Sequence, residues 1–451
     1  MDTVGFPLDF SLRMKSLLGE AWPAFAEAHL RPSPTSIRLN PFKKLVQKSE
    51  HIPWCEGGYY LEKRPAFTFD PLLHAGAYYV QEASSMFLEQ ALKQAADLSK
   101  SLRVLDACAA PGGKSTHLLS LINNSSLLVS NEVIKTRATI LAENICKWGT
   151  VNAVVTQNDP EDFSKLTGFF DVVLVDAPCS GEGLFRKDPK AMNEWSDENA
   201  RLCSLRQQRI INHIWPTLKT NGILIYSTCT YNPKENEENL KPLIQTQKAK
   251  SIKLKTEENW SAQENFHEGV WGYQFFPHRA KGEGFFISVL KKMEKEDEVA
   301  VRSKKKFQVA PKKLNERLTT WVTQPDTIEF VLYDDLIIAL PKESVDDIDF
   351  LASNFKAIQK GTAVATIKHD KLIPEHAFAL SNELNQENFQ AIDLTYDQAI
   401  AFLRKESLYL GSEKSGFTLM KFQSVPIGWV NHLGNRINNL YPANWRIRST
   451  T

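Results

Sequence analysis

The 451-residue sequence lacks several features that would assign a protein to a class at once. No apolar run approaches the ~20 residues of a membrane-spanning helix, and the amino terminus lacks the basic start and apolar core of a signal peptide. The six cysteines form no CxxC pair, which argues against a zinc site and a disulfide framework. The net charge is +1, so nucleic-acid binding would depend on local patches. We expect a reduced, cytoplasmic monomer without metal or membrane association.

The sequence does show a change of pattern from region to region. Residues 1–98 are predicted to form an amino-terminal α+β extension, and residues 99–292 alternate short apolar strands with helices. Continuous apolar strands between helices are typical of a parallel sheet covered on both faces, so we predict a doubly wound, Rossmann-like α/β domain. An antiparallel pair over residues 270–292 would close it. Residues 293–313 read as a charged linker, and residues 314–451 as a carboxyl-terminal α+β region.

The last part of the chain combines basic and aromatic side chains without acidic ones. Its cations and its large aromatic residues are Lys421, Arg436, Arg446, Arg448, Trp429, Tyr441 and Trp445. Exposed aromatics beside cations suit stacking on RNA bases and binding of the RNA backbone. If the aromatics are buried instead, only a small basic surface remains. Composition alone leaves both interpretations open.

The stretch DACAAPGGKST, residues 106–116, follows one predicted strand and opens a predicted helix. Its last four residues match the end of a nucleotide-binding P-loop, and Asp176 in DVVLVDAP would match a magnesium ligand. Cys108 stands where a P-loop needs its first glycine, and the GxGxxG dinucleotide pattern is also absent. The turn nevertheless lies at the carboxyl edge of the sheet, where doubly wound folds bind ligands.

Glu132 indicates which ligand this turn holds. It ends the second predicted strand, where an acidic side chain can accept both hydroxyl groups of a ribose. A short turn followed by such a carboxylate suits S-adenosylmethionine better than a triphosphate. We therefore predict S-adenosylmethionine as the cofactor.

Two cysteines point to the chemistry. Cys179 in DAPCSGEG and Cys229 in YSTCTYNP follow the fourth and fifth predicted strands, and so lie at the ligand-binding edge. Methylation of carbon 5 of a pyrimidine requires a thiolate to add at carbon 6, because the ring is otherwise too electron-poor to attack. An acid must then act near ring nitrogen 3, where Asp176 is placed, and a second thiol could assist loss of the carbon-5 proton. These residues alone do not rank the two thiols.

The motifs carry a resemblance to a known family. LDACAAPGGKST, VDAPCSGEGLFRKDP, YSTCTYNPKENEENL and GEGFFISVL resemble the signatures of the Nol1/Nop2/Sun RNA cytosine-5 methyltransferases. HIPWCEGGYYL, GAYYVQEASSM and the tail GWVNHLGNRINNLYPANWRIR resemble the bacterial RsmF-type branch. That resemblance implies methylation of small-subunit (16S) ribosomal RNA, or of its assembly intermediates. It also implies a PUA-like RNA-binding module over about residues 380–451.

The resemblance also implies roles for single residues. Cys229 becomes the nucleophile and Cys179 the cysteine that aids product release. Asp176 closes the cofactor site and faces the base, Asp159 lies on the adenine side, and Arg137 is a further cofactor-pocket candidate. The turn that holds the cofactor comprises Cys108, Ala109, Ala110, Pro111, Gly112, Gly113 and Lys114.

Some alternatives stay open at this point. Arg186 and Lys187 would contact RNA phosphate or form a solvated turn. The substrate could be tRNA, and the chain could also be an RNA-binding ribosome-assembly factor without turnover. A P-loop nucleoside triphosphatase is the rival from another class, and it predicts ATP binding and no thiol adduct.

Overall fold

The structure, a computed structural model, describes residues 4–299, 307–369, 371–408, 410, 415–433 and 436–449; the predicted linker thus lies partly outside the described residues. The amino-terminal region contains α1 (Leu8–Leu18), α2 (Trp22–Ala28), β1 (Thr35–Leu39), β2 (Gly58–Leu61), α3 (Pro71–His74), β3 (Tyr78–Val80) and α4 (Leu88–Ala95). Strand β1 pairs antiparallel with both β2 and β3. This confirms the α+β extension. No helix in the described part of the chain is long and apolar enough to cross a membrane.

The central domain alternates strands and helices as predicted. Its elements are β4 (Arg103–Asp106), α5 (Gly113–Leu121), β5 (Leu127–Asn131), α6 (Lys135–Trp148), β6 (Ala153–Thr156), β7 (Phe170–Asp176), α7 (Pro189–Glu194), α8 (Asp197–Ile214), β8 (Leu218–Thr228), α9 (Glu237–Thr246), β9 (Ala249–Ser251), β10 (Gln263–His267), β11 (Val270–Phe275) and β12 (Phe285–Lys292). Strands β4 to β8 run parallel in the order β8-β7-β4-β5-β6. Strands β11 and β12 add antiparallel beside β8, which confirms the closing pair.

The topology places four strand ends at one edge of this sheet. Strand β4 ends at Asp106, β5 at Asn131, β7 at Asp176 and β8 at Thr228. Strands β5 and β7 and the second half of β8 are mostly apolar and are buried on both faces, as a sheet covered by helices requires. From β4 the chain continues through β5 and β6 on one side of the sheet, and then through β7 and β8 on the other side. A doubly wound sheet opens a crevice at such a change of direction, here beside the end of β4.

The segment after β12 builds a third sheet, which is antiparallel, in the order β13-β14-β15-β17-β18. Its elements are β13 (Gln308–Val309), α10 (Lys312–Thr319), β14 (Ile328–Tyr333), β15 (Leu336–Pro341), α11 (Val345–Asn354), β16 (Ala357–Lys360), β17 (Thr362–Lys368), β18 (Lys371–Pro374) and α12 (His376–Ala379). Strand β16 is not part of that sheet; it pairs antiparallel with β6 at the edge of the central sheet. The central sheet thereby gains a strand from a region that the sequence pattern had set apart, since pairing between distant segments leaves no local signal.

The chain ends in a four-stranded sheet with one helix. Its elements are β19 (Gln390–Asp393), α13 (Tyr396–Arg404), β20 (Gly416–Phe422), β21 (Val425–His432) and β22 (Ile437–Asn439). This sheet shares an apolar core with the amino-terminal region, in which Ile37 and Tyr78 pack in one cluster with Phe402 and Tyr441. The two ends of the chain are therefore packed together.

The stacking role considered for the tail aromatics is corrected by their burial. Trp429 and Tyr441 are in the core, with side chains 0% and 1% exposed, and Trp445 is half-buried. The Trp429 indole donates its N–H to the Glu375 carbonyl at 3.0 Å, so its polar edge is also bound. The basic residues Arg446 and Arg448 are exposed. RNA contact by this region would therefore rest on its cations.

Candidate active site

A cavity of about 660 Å³ opens at the carboxyl edge of the central sheet. Its size suits a cofactor together with a nucleobase. It brings together predicted site residues from six separate stretches of the chain: Cys108, Ala110, Lys114, Glu132, Arg137, Asp159, Asp176, Cys179 and Cys229. Ala109, Pro111, Gly112 and Gly113 do not line it. Their part in the site is to shape the turn.

The predicted cofactor turn is fixed by hydrogen bonds to its backbone carbonyl groups. The Arg137 guanidinium donates to the Ala110 carbonyl at 2.9 Å, and the Asn144 amide donates to the Pro111 carbonyl at 2.8 Å. Both donors lie on α6, which packs beside the turn. These two hydrogen bonds hold the turn in a defined form, as preorganised binding requires.

Gly112 is the residue that lets the chain enter α5. Its φ of 111° lies in the left-handed region, and its carbonyl accepts from both the amide and the hydroxyl of Thr116, at 2.9 and 2.8 Å. A Cβ at this position would lie 3.2 Å from Leu141 Cδ1. Glycine therefore meets both the backbone geometry and the close packing here.

Asp106 and Ser115 lie beneath the turn and exclude the P-loop interpretation. The Ser115 hydroxyl donates to Asp106 Oδ2 at 2.6 Å and so is not presented to a magnesium ion. Lys114 pairs with Asp176, which a P-loop would use as its magnesium ligand. Burial raises the pKa of Asp106 to about 7, and the Ser115 hydroxyl opposes that rise.

Glu132 is presented to the cavity with its carboxylate already oriented. Its Oε1 accepts from the Ile134 amide at 2.9 Å, and its Oε2 lies 3.3 Å from Arg137 Nη1. A carboxylate has about four acceptor positions, so lone pairs remain for the two hydroxyl groups of a ribose. The residues around the turn therefore fit the adenosine part of S-adenosylmethionine.

Asp159 lies at the outer rim and is paired with a residue that the sequence did not single out. Arg209 on α8 donates to Asp159 Oδ1 at 2.6 Å. Burial opposes ionisation, but this bond and the arginine charge hold the pKa of Asp159 below its usual value. Arg206 and Arg209 both line the cavity, so its mouth carries positive charge from α8.

Cys179 and Cys229 are in contact across the ends of β7 and β8. Their Sγ atoms lie 3.1 Å apart, and the Cys229 amide donates to Cys179 Sγ at 3.3 Å. The hydrogen bond with Cys229 and burial together raise the pKa of the Cys179 thiol well above its ordinary value. Cys179 is therefore a protonated thiol at neutral pH.

An ion pair lies beside the two thiols. Lys114 Nζ is 2.7 Å from Asp176 Oδ2, while the Ser227 hydroxyl donates to Asp176 Oδ1 at 2.8 Å. Burial alone would lower the pKa of Lys114, but Asp176, with smaller contributions from Cys229 and Asp106, raises it. A stable ammonium group thus lies within electrostatic reach of the Cys229 sulfur.

Two buried carboxylates that sequence reasoning missed brace the cysteine loops. Glu182, which is 0% exposed, accepts from the Tyr231 amide at 3.1 Å, from Trp195 Nε1 at 3.0 Å and from Arg13 Nη2 at 2.5 Å. Glu235, which follows Cys229, accepts from the amide and the hydroxyl of Ser180, which follows Cys179. The two cysteine loops are therefore joined by both carboxylates. The glutamates in DAPCSGEG and YSTCTYNPKENEENL were the available signal.

The expectation that Arg186 contacts RNA phosphate is corrected by its surroundings. Its guanidinium is 6% exposed and forms an ion pair with Glu283 at 3.0 Å, and it also donates to the Gly282 carbonyl at 2.6 Å. A cation held in this way ties the Cys179 loop to the closing hairpin. Lys187 next to it is exposed, so its predicted contact stays a prediction.

A further buried cluster lies behind the turn. Cys55, Glu89 and His117 place one ligand atom each within 4.8 Å of one another, which is a possible set of metal ligands. The His117 Nε2 atom is 3.1 Å from Glu89 Oε2, and Lys93 forms an ion pair with the same carboxylate. Burial lowers the pKa of His117 to about 4. The hydrogen bonds already satisfy the carboxylate, and a closed zinc site needs a fourth ligand that these residues do not provide.

Comparison with known families matches the chain in three segments. The description "16S rRNA methyltransferase RsmB/F" covers residues 94–291, "N-terminal domain of 16S rRNA methyltransferase RsmF" covers residues 6–83, and "Methyltransferase RsmF PUA domain" covers residues 389–447. The three segments follow the order of the regions seen in the fold.

Relatives with the name ribosomal RNA small subunit methyltransferase F match almost the whole chain. The protein of Shewanella piezotolerans is 30% identical over 94% of this chain and 92% of its own. Those of Shewanella oneidensis and Serratia proteamaculans are 32% and 31% identical, each over 93% of this chain and over 92% and 91% of their own.

Solved structures share the fold. A methyltransferase homologue from Pyrococcus horikoshii matches with a TM-score of 0.55 at 26% identity, over 64% of this chain and 96% of its own. NSun6 from the same organism, solved with SFG, matches with a TM-score of 0.54 at 20% identity, over 64% and 99%. These similarities confirm the predicted methyltransferase fold.

Proposed function

We propose that this chain, which belongs to the RsmB/F family of 16S rRNA methyltransferases, methylates carbon 5 of a cytosine in small-subunit ribosomal RNA. Its membership rests on relatives of at least 30% identity over more than nine tenths of this chain. The chain is therefore an S-adenosylmethionine-dependent methyltransferase, as its motifs predicted. The carbon-5 chemistry and the residue roles below are our proposal.

One observation carries this proposal. Cys179 and Cys229 meet at 3.1 Å in the same cavity that Glu132 and Asp176 line. A methyltransferase that acts on oxygen or nitrogen needs no thiol, because these atoms attack a sulfonium methyl group directly. Carbon 5 of cytosine needs activation by a thiolate at carbon 6. Two thiols beside the cofactor turn therefore favour a carbon-5 acceptor.

The pairing of the thiols supports Cys229 as the nucleophile. The raised pKa of Cys179 keeps this thiol protonated. Only a thiolate attacks, and Lys114 is the cation within reach of Cys229. Its sulfur forms the bond to carbon 6, and the electron pair of the carbon 5–carbon 6 double bond becomes available at carbon 5.

The Lys114–Asp176 pair is placed to control charge on the base. Addition of the thiolate puts negative charge on the ring at nitrogen 3, and a proton shared by Lys114 and Asp176 would neutralise it. When bound, S-adenosylmethionine supplies an electrophilic methyl group on its sulfonium sulfur. Glu132 and the Pro-Gly-Gly turn would orient that group, so that carbon 5 forms the new carbon–carbon bond as the bond from the methyl group to sulfur breaks and S-adenosylhomocysteine is left.

Product release uses the second thiol. While Cys229 is bound to carbon 6 it no longer holds the hydrogen bond that is the first cause of the raised pKa of Cys179. With that cause removed, the Cys179 thiol releases its own proton to solvent, and the resulting thiolate accepts the proton from carbon 5. The electron pair left at carbon 5 reforms the double bond and expels the Cys229 thiolate. This restores the enzyme and leaves 5-methylcytosine.

Bisulfite sequencing of small-subunit ribosomal RNA tests the proposal. In a strain that lacks the protein, one cytosine should lose its protection from bisulfite, and purified protein with S-adenosylmethionine should restore it. Restoration by Cys229→Ala would contradict the carbon-5 mechanism. An RNA-binding assembly factor would leave the modification pattern unchanged.

The choice of ribosomal RNA over tRNA rests on the names of the relatives. Transfer of labelled methyl groups to 16S rRNA, to assembled subunits and to bulk tRNA, measured side by side, separates these substrates. A cytoplasmic protein that binds small-subunit RNA is consistent with the same assignment. The expected monomeric state stays a prediction.

A further inference from the structure

The Arg38 side chain is buried in an unusual environment. It lies on β1, is 1% exposed, and stacks on Trp148 with the guanidinium 4.5 Å from the ring centre. Burying a charge is costly, so a buried arginine usually has a carboxylate partner. Within the described part of the chain, the hydrogen bonds of Arg38 go to neutral groups alone. This indicates that its acceptors, and not an ion pair, are the reason for its position.

Three of these acceptors lie on α5, at and just after the cofactor turn. Arg38 Nη2 donates to Thr116 Oγ1 at 2.7 Å and to the Gly113 carbonyl at 3.2 Å, and Nη1 donates to Ser120 Oγ at 3.0 Å. Its Nε donates to Gln81 Oε1 at 2.9 Å, which anchors the guanidinium to the amino-terminal region. A planar fork of donors can hold several acceptors in a fixed geometry, as an ammonium group cannot.

The contact with Thr116 connects Arg38 to the left-handed glycine. Thr116 Oγ1 accepts from Arg38 and donates to the Gly112 carbonyl. Arg38 therefore orients the hydroxyl group that holds Gly112, and it also holds the carbonyl of the next residue. The turn is thus held on one side by α6 and on the other side by the amino-terminal region.

Arg38 retains its charge in this position. Burial lowers its pKa to about 10, and nearby Cys55, Tyr79 and Glu89 oppose the shift. The guanidinium thus keeps all its donors at neutral pH.

We propose that Arg38 is a positioning residue, which holds the cofactor turn in its binding form from the amino-terminal region. The inference rests on the proposed use of this turn for S-adenosylmethionine. Arg38 does not line the cavity, so it acts through Gly113 and Thr116. Loss of its donors frees the Thr116 hydroxyl to rotate and leaves the start of α5 less well held.

Cofactor binding in the absence of RNA is the direct test. For Arg38→Met, which keeps a long unbranched side chain but removes the donors, we expect at least tenfold weaker binding of S-adenosylhomocysteine by calorimetry. The affinity for 16S rRNA should change less than twofold. A cofactor affinity within twofold of the wild-type value would overturn the inference.

Arg103→Met is the matched control. Arg103 is also an arginine on a strand; it is half-buried, forms a bidentate pair with Asp347 at 2.7 and 2.9 Å and stacks on Phe169. It touches neither the turn nor the cavity. Its replacement should lower the melting temperature without weakening S-adenosylhomocysteine binding. Equal loss of affinity in both variants would mean that Arg38 is merely structural.

Arg38→Lys keeps the experiment decisive if the methionine variant does not fold. Lysine retains the charge but cannot bind all four acceptors, so we expect an intermediate affinity. In turnover assays KM for S-adenosylmethionine should rise while kcat at saturation stays within about twofold. A fall in kcat with unchanged KM would contradict positioning. If the wild-type protein itself binds no S-adenosylhomocysteine, it is the proposed function that fails.

Discussion

The Sγ atoms of Cys179 and Cys229 lie 3.1 Å apart, on loops that follow two neighbouring parallel strands. The backbone amide of Cys229 also donates to the sulfur of Cys179. The hydrogen bond between the two sulfur atoms is the first cause of the raised pKa of Cys179, so a change at Cys229 changes the pKa of Cys179. The roles that we propose for the two cysteines depend on this contact.

Replacement of the two cysteines one at a time should give opposite results. Cys229→Ala should form no RNA adduct and transfer no methyl group. Cys179→Ala should transfer one methyl group and then accumulate a covalent protein–RNA complex, because no thiol accepts the carbon-5 proton. Denaturing gels of single-turnover reactions with labelled S-adenosylmethionine show both products. An adduct that accumulates in Cys229→Ala would reverse the assigned roles.

Asp106→Asn should change how stability depends on pH. The folded-state pKa of Asp106 is about 7, above the value of about 4 in an unfolded chain, so the folded state binds the proton more tightly between these pH values. This contribution to stability is complete below pH 4 and is lost as the pH rises towards 7, by about 1.4 kcal/mol for each pKa unit. Asparagine cannot titrate. The variant should therefore gain stability relative to wild type from about pH 4 to about pH 8, as urea denaturation measures; a constant difference would contradict this assignment.

Gly112→Ala should weaken cofactor binding. Its φ of 111° and the 3.2 Å separation between an alanine Cβ and Leu141 Cδ1 both oppose alanine, at a cost of about 1–3 kcal/mol. The start of α5 must then shift, and the cofactor turn with it. Gly19→Ala is the control, since Gly19 also has a positive φ but no atom within 4 Å. Calorimetry with S-adenosylhomocysteine should show a loss in Gly112→Ala alone.

Glu182→Gln should destabilise the fold. The amide has one oxygen for three donors, so at least one buried donor loses its acceptor, at about 1–3 kcal/mol. Chemical denaturation measures the loss. Glu198→Gln is the control, because Glu198 forms an exposed pair with Arg201 and should show no measurable change. Equal stability of the two variants would show that Glu182 does not brace the loop.

Arg446→Ala combined with Arg448→Ala should weaken binding of 16S rRNA without changing the melting temperature. Both side chains are exposed. Each lost phosphate contact should reduce the slope of log K against the logarithm of the salt concentration by about 0.7–0.9 in magnitude, where K is the RNA-binding constant. Lys312→Ala with Lys313→Ala removes two exposed cations elsewhere and should leave the slope unchanged. Trp429→Ala, at a buried position, should instead cost about 3–5 kcal/mol of stability. An unchanged slope in the arginine variant would remove these residues from the RNA surface.

Residues at strand ends were predictable because the carboxyl ends of parallel strands meet at one edge. Glu132, Asp176, Cys179 and Cys229 each end or follow an apolar strand, and the cavity joins them. Turn chemistry likewise located Gly112. Both signals are local in sequence, and only the parallel order of the strands was needed to combine them.

Residues that act through distant partners were not predictable in this way. Arg38 is 75 positions from Gly113, Arg13 is 169 positions from Glu182, and Arg186 is 97 positions from Glu283. A basic residue in a motif gives no sign of whether its counter-charge comes from RNA or from a later segment of the same chain. The burial of Trp429, which decides between the two interpretations left open for this side chain, was not predictable for the same reason, since it depends on what β21 packs against.

The pairing of β16 with β6 limits how this protein can be divided. A fragment that stops at residue 292 would contain every residue to which we assign a role in the reaction, yet β6 would become a bare edge with unpaired N–H and C=O groups. Such an edge recruits other chains, so the fragment should self-associate rather than act as a minimal enzyme. Any transplant of the catalytic unit into another RNA-targeting protein must therefore carry residues 357–360 with it.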